Sequence, residues 1–191
     1  MTRSIIVSTY VTLDGVVEAP HTWPYHSKRD QVEANFVRDV LFEADALLMG
    51  RETYESFAPA WSSRTAADDE PGSEGFIDRI NSLPKYVAST TLEEPLEWNS
   101  TLINGDVTEE VAKLKAQPGK NILMYGCGPV ANLLMQYGLV DELHLWVYPI
   151  VLGSGARFFT DASKFPSLKL IDTKVFSSGI VVLIYKPGQT M

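Results

Sequence analysis

The 191-residue chain has one cysteine, Cys127, so no disulfide can form within it. Its three histidines, His21, His26 and His144, show no spacing that a metal ion would use, and no metal site is expected. No apolar run approaches the ~20 residues of a membrane span. The opening MTRSIIVSTYV is too short, and too soon followed by Thr12 and Asp14, to be a signal peptide, so a cytoplasmic protein is expected. Positive charge is scarce as well: 16 Lys and Arg stand against 24 Asp and Glu, net −8, with no basic run. Such a surface repels polyanions and excludes nucleic acid as the natural partner. A small anion is a different case, because one arginine plus a helix start outweighs a distant surface charge.

What is present is the composition of a globular protein, 45% hydrophobic and 21% charged. Neither a repeat nor a linker divides it, and one domain over 1–191 is expected. Residues 3–11 are a β-branched run closed by the turn TLDG at 12–15. Residues 16–28, with two prolines and no periodicity, read as a long loop or lid. Helical spacing then runs to Phe42 behind Asp30 as N-cap. Strands are expected at 44–50, 84–90, 101–105, 121–126 and 141–153, and helices at 51–57, 76–82, 107–116 and 129–138, with 62–75 a polar surface loop. Segments 168–176 and 180–186 form a hairpin turned at Ser178-Gly179. This alternation implies a mostly parallel sheet with antiparallel strands at an edge.

Twice a glycine stands between a buried strand and a helix, in LLMG-RETYES and in LMYGCG-PVANLL. The first N–H groups of a helix lack intrahelical partners and lie at the positive end of its dipole, so each junction suits a phosphate, and two suit a dinucleotide. At the first, Arg51 and the Thr53 hydroxyl add donors; at the second, Gly126 and Gly128 allow close backbone approach and Pro129 opens the helix without wasting an N–H. The plainer alternative is two tight turns, with Arg51 paired to Glu52 or Glu55. GCGPVA at 126–131 also fits a relaxed G-x-G-x-x-G/A pattern, which raises a Rossmann fold. Against that, Asp141 and Glu142 open the next strand where a ribose-binding acid should close it, and too little chain follows for a second half.

The order of MGRETYES (49–56), KYVAST (85–90) and YGCGPVANLLMQYGLVDELHLWVYPIVLGSGARFF (125–159) resembles the dihydrofolate reductase-like superfamily. TLDG and GLVDEL…P…LGSG are most similar to its branch containing the reductase domain of the bifunctional riboflavin-biosynthesis deaminase-reductase. The resemblance implies a three-layer α/β fold, mostly parallel with an antiparallel C-terminal hairpin, and an NADPH-dependent reductase. Hydride would pass to a C=N or C=O carbon of a small heterocycle, as in reduction of 5-amino-6-(5-phosphoribosylamino)uracil. By the same resemblance Gly50, Arg51 and Thr53 hold the pyrophosphate and 2′-phosphate, with Ser89 and Thr90 nearby. Gly126, Cys127, Gly128, Pro129 and Val130 form the second helix start, and Val17 lies in a loop over the nicotinamide.

On the substrate side the resemblance points to Gly15, to Trp23 with Pro24 and Tyr25 as an aromatic wall, and to Glu33; the proton would come from solvent or from Asp14, whose plainer reading is an Asp-Gly turn. Glu33 nevertheless reads by spacing as a solvated helix residue, and no carboxylate falls in the register dihydrofolate reductases use. Two departures stand out. Glu52 occupies a position where many relatives are basic, and Gly126-Cys127 replaces the Gly-Gly pair whose peptide is cis in dihydrofolate reductases. The deaminase half is missing, since its zinc site needs H-x-E and P-C-x-x-C. The alternatives are a dihydrofolate reductase and a non-catalytic NADPH-binding protein. A homodimer is expected, because the long apolar strand and the final hairpin leave edges that proteins usually cover and because riboflavin-type relatives dimerise.

Overall fold

A computed structural model describes residues 2–159 and 167–188. Eight strands, β1 (Ile5–Thr12), β2 (Ala44–Gly50), β3 (Lys85–Ala88), β4 (Ser100–Ile103), β5 (Asn121–Tyr125), β6 (Glu142–Tyr148), β7 (Leu168–Val175) and β8 (Val181–Pro187), form one sheet in the order β4-β3-β2-β5-β1-β6-β8-β7. The first six are parallel, whereas β8 runs antiparallel to both β6 and β7. This is the expected mostly parallel sheet with its antiparallel hairpin. It is not the 3-2-1-4-5-6 order of a Rossmann domain.

Five helices cover the sheet: α1 (Gln31–Phe42), α2 (Arg51–Trp61), α3 (Phe76–Ser82), α4 (Val107–Ala116) and α5 (Pro129–Gln136). Local chemistry sets their ends. The Asp30 carboxylate accepts from the Glu33 N–H at 2.8 Å and caps α1, and Asp106 caps α4 through the amides of Thr108 and Glu109. Pro129 is the first residue of α5, and Gly138, at φ +66°, ends it in the left-handed conformation.

Alternate strand residues face opposite layers. Ile5, Val7 and Val11 of β1 join Ile122, Met124 and the α4/α5 residues Val111, Ala131 and Leu134 in one core cluster. Ile6 joins Leu41, Tyr54, Ile77 and Ile80 from α1, α2 and α3 on the other face. A third cluster, Trp146 with Phe176, Ile180, Val182 and Ile184, seats the hairpin. Each such side chain, fully buried, contributes about 1.5–3 kcal/mol.

Three expectations need correction. The sixth strand stops at Tyr148 instead of continuing to 153, and beyond it Pro149, which has no N–H to give a ladder, begins a loop. Helix α2 runs on to Trp61 rather than ending near 57, because Trp61 packs against Phe76 with ring centroids 5.5 Å apart. Glu33, read as solvated, is only 1% exposed. No helix among the described residues is long and apolar enough to cross a membrane.

Candidate active site

Between β2 and β5 the chain departs in opposite directions, from β2 towards β3 and from β5 across β1 to β6. Ligands of open α/β sheets bind outside the carboxyl ends of the strands at such a switch point. Both glycine-led helix starts lie there and touch. A Cβ built on Gly50 would stand 3.4 Å from Val130 Cγ2, and one on Gly126 only 2.8 Å from Thr53 Oγ1. Gly126 also holds φ +79°, which a side chain would strain. At Gly128 nothing lies within 4 Å of the same construction, so the backbone there borders open space. The two starts thus bring the first amides of α2 and α5, which lack intrahelical partners, into one cradle that fits a dinucleotide's phosphates.

The arginine of the first start is engaged at the surface. Arg51 pairs with Glu55 at 2.9 Å and with Glu52 at 3.6 Å, as the plainer reading allowed. Exposed pairs of this kind are worth at most about 1 kcal/mol, so a phosphate can displace them. At the end of β3, Ser89 Oγ accepts from the amides of Thr91 and Leu92 and caps a turn, while Thr90 is exposed. Cys127 is half-buried, and burial pushes its thiol up to about 11. The Gly126-Cys127 peptide is trans; among the described residues the cis bond is Glu94-Pro95.

The loop after β1 is fastened to the loop after β6. Asp14 accepts from Thr12 Oγ1 at 2.6 Å and from the amides of Gly153 at 2.8 Å and Leu152 at 3.3 Å. The Thr12 hydroxyl foremost, then the Gly153 amide, holds its carboxyl down at about 2. With its oxygens filled in this way, Asp14 clasps the two loops together. The Val17 amide donates to Ala156 O at 2.9 Å, and Gly15 turns the chain under the Arg157 guanidinium, which bonds the Asp14 carbonyl. Trp23 is buried, donates to Glu18 O at 2.9 Å and meets Tyr148 edge-on, and with Val16, Glu18, Leu152 and Gly155 it lines a cavity of about 300 Å³ between the two loops.

On the α1 face of β1, β5 and β6 the strand ends carry Tyr10, Tyr125 and Tyr148. Tyr148 packs against Tyr10 and Tyr25, each with ring centroids 5.1 Å away. Arg29 Nη2 donates to Tyr10 Oη at 3.0 Å, and its Nε lies 3.6 Å from Glu33. Glu33 in turn accepts from Ser178 Oγ at 2.8 Å, and burial raises its carboxyl above the ordinary value. Ser8, Tyr10, Val37, Val40, Tyr125 and Trp146 enclose a cavity of about 20 Å³, room for one water. Of this group sequence reasoning named Tyr25 and Glu33 and missed Tyr10, Arg29, Tyr125 and Tyr148. Its signal was available: Ser8, Tyr10 and Thr12 alternate as polar positions on one face of the strand.

The RibD C-terminal domain model matches residues 3–182, nearly the whole chain. The chain belongs to that family. Among its relatives, protein YyaP of Bacillus subtilis (strain 168) is 34% identical over 184 residues, covering 96% of this chain and 94% of YyaP. YwjB of the same organism is 25% identical, covering 94% of this chain and 96% of its own. A riboflavin biosynthesis protein of Shewanella sp. PV-4 superposes with TM-score 0.70 at 24% identity, over 97% of this chain and 99% of that one. The diaminohydroxyphosphoribosylaminopyrimidine deaminase/5-amino-6-(5-phosphoribosylamino)uracil reductase of Thermotoga maritima gives TM-score 0.63 at 17% identity, with 98% of this chain on 57% of that one. At these identities the two structures establish the dihydrofolate reductase-like fold alone. In this RibD C-terminal domain no group of three His, Cys, Asp or Glu side chains able to hold a metal occurs among the described residues.

Proposed function

We propose that the protein is an NADPH-dependent reductase that delivers hydride to a C=N or C=O carbon of a small heterocycle, in the manner of 5-amino-6-(5-phosphoribosylamino)uracil reduction. The observation that carries this reading is the meeting of the two helix starts, Gly50 against Val130 and Gly126 against Thr53, at the switch point of a RibD C-terminal fold. A bound dihydronicotinamide supplies the hydride. The chain's own residues bind, orient and exclude water: amides at the starts of α2 and α5 hold the pyrophosphate, Arg51 exchanges Glu55 for the 2′-phosphate, and the loop clasped by Asp14 covers the ring. Glu33, buried at the foot of the α1 face, faces the substrate side through Arg29.

Fluorescence titration tests the cofactor half of this reading. NADPH is expected to bind more tightly than NADH, and Arg51→Ala to erase most of that preference. Equal affinities in the unmodified protein would count against the role of Arg51. We further propose a homodimer. The edge strand β7 leaves Leu170, Ile171 and Val175 exposed, a surface that a second copy would cover. Light scattering should then give twice the 21.2 kDa chain mass; a 21.2 kDa species would refute it.

A further inference from the structure

Reduction of a C=N or C=O bond needs a proton as well as a hydride, and the carboxylate oxygens of Asp14 are already taken up by Thr12, Leu152 and Gly153. Five other groups stand near the strand ends, Cys127, Glu33, Tyr10, Tyr125 and Tyr148, and among the three phenols it is Tyr10 to which Arg29 donates. Cys127 packs towards the α4/α5 layer with a thiol held protonated by burial. Glu33 accepts from Ser178 and does not line the cavity under α1. Tyr10 does line it.

We propose that Tyr10 is the proton donor, with Arg29 positioned to hold the negative charge left on its oxygen; the inference rests on the reductase reading above. Arg29 Nη2 donates to Tyr10 Oη at 3.0 Å, and Tyr148 is a second hydrogen-bond partner of the same hydroxyl. Tyr10 lines the cavity with Ser8, Tyr125 and Trp146, and its volume of about 20 Å³ is room for one water beside the ring. Register places it beside the cofactor cradle. Ser8 pairs with Tyr125, and the Gly126 amide donates to Ser8 O at 3.1 Å, so Tyr10 stands one step beyond Gly126 along the neighbouring strand.

The balance is simple. As hydride arrives at the acceptor carbon, a C–H bond forms and the π pair moves onto nitrogen. The N–H bond forms as the Tyr10 O–H bond breaks. The phenolate faces the Arg29 guanidinium and regains its proton from water at the cleft mouth, where Arg29 is 34% exposed. One hydride from the cofactor and one proton from solvent convert C=N to CH–NH. The charged and titratable groups around the pair are Glu33 and Asp30 at the start of α1, Glu70 from the loop before α3, and Tyr125 and Tyr148 from the sheet.

The test uses Tyr10→Phe, Arg29→Gln and the double variant of the full chain, with NADPH oxidation followed at 340 nm against 5-amino-6-(5-phosphoribosylamino)uracil. Tyr10→Phe should lower kcat by about 10²–10⁴-fold with little change in KM, the range that general acids contribute. NADPH affinity, read separately by fluorescence, should stay within about threefold, since neither residue touches the cradle. Arg29→Gln should lower kcat as well, and the double variant should be no slower than Tyr10→Phe, because Arg29 acts through the phenol. A Tyr10→Phe enzyme within about threefold of the unmodified kcat, or additive losses in the double variant, would overturn the proposal. Loss of NADPH affinity in Tyr10→Phe would overturn it too, by showing a structural role. Failure of the unmodified protein to bind NADPH, or to oxidise it with this acceptor or any pterin, would overturn the reductase reading and this inference together.

Discussion

Gly126→Ala puts the central geometry under direct strain. The new methyl would sit 2.8 Å from Thr53 Oγ1, inside any real carbon–oxygen contact, on a backbone at φ +79°. Holding an L-residue in the left-handed region costs about 1–2 kcal/mol. Relieving the overlap by shifting α2 against α5 costs a further 1–3 kcal/mol or so. The sum is about 2–5 kcal/mol, a large share of the total for an ordinary domain. Gly50→Ala is the control, with an ordinary φ of −82° and a methyl 3.4 Å from the flexible Val130 side chain. It should cost about 1 kcal/mol or less, the scale of a poorer N-cap. Urea denaturation reads both. Thr53→Ala on the Gly126→Ala background should return the steric share, leaving the backbone share behind. Equal costs for the two glycine variants, or no recovery with Thr53→Ala, would refute the close approach of the two helix starts.

Three further outcomes follow from buried or clasped charges. Lys85 has no exposed surface, donates to Asn81 O and Leu83 O at 2.9 and 2.7 Å, and is brought down by burial from 10.5 to about 8. Between pH 8 and 10.5 the unfolded chain binds more protons, so stability should rise with pH across that window, and Lys85→Met should abolish the rise in pH-dependent urea melts. Asp14, held down at about 2 against an ordinary 3.8, stabilises above 3.8 and loses that contribution as pH falls through 2. Asp14→Asn should remove this acid limb and speed proteolytic cleavage within residues 13–22, both measurable on one sample series. For Glu33 the sign reverses: its carboxyl is raised, so stability should fall as pH climbs above 4.5, and Glu33→Gln should flatten that fall in the same melts.

The sheet and helices were legible because their signals are local. Asp30 and Asp106 cap where capping residues should, Gly138 closes α5, and Ser178-Gly179 turns the hairpin. The two phosphate-type helix starts were legible for the same reason, since strand–glycine–helix is written in consecutive residues. What was not legible depends on tertiary placement. Glu33 looks solvated on a helical wheel, but the hairpin turn brings Ser178 over it from 145 positions away. Asp14 reads as a turn residue or an acid until the amides of Leu152 and Gly153 fill its oxygens. Arg29 falls between the loop at 16–28 and the Asp30 cap, and only the fold brings it to Tyr10.

Backbone amide NMR of the labelled protein with NADPH added tests the cofactor site most directly. The account predicts that the amide signals of Arg51, Glu52, Gly126, Gly128 and Val130 shift together and saturably, with Val16 and Val17 following as the loop takes up the ring. Signals of β7, at the far edge of the sheet, should stay in place. Shifts confined to other surfaces, or a spectrum unchanged at saturating NADPH, would contradict it.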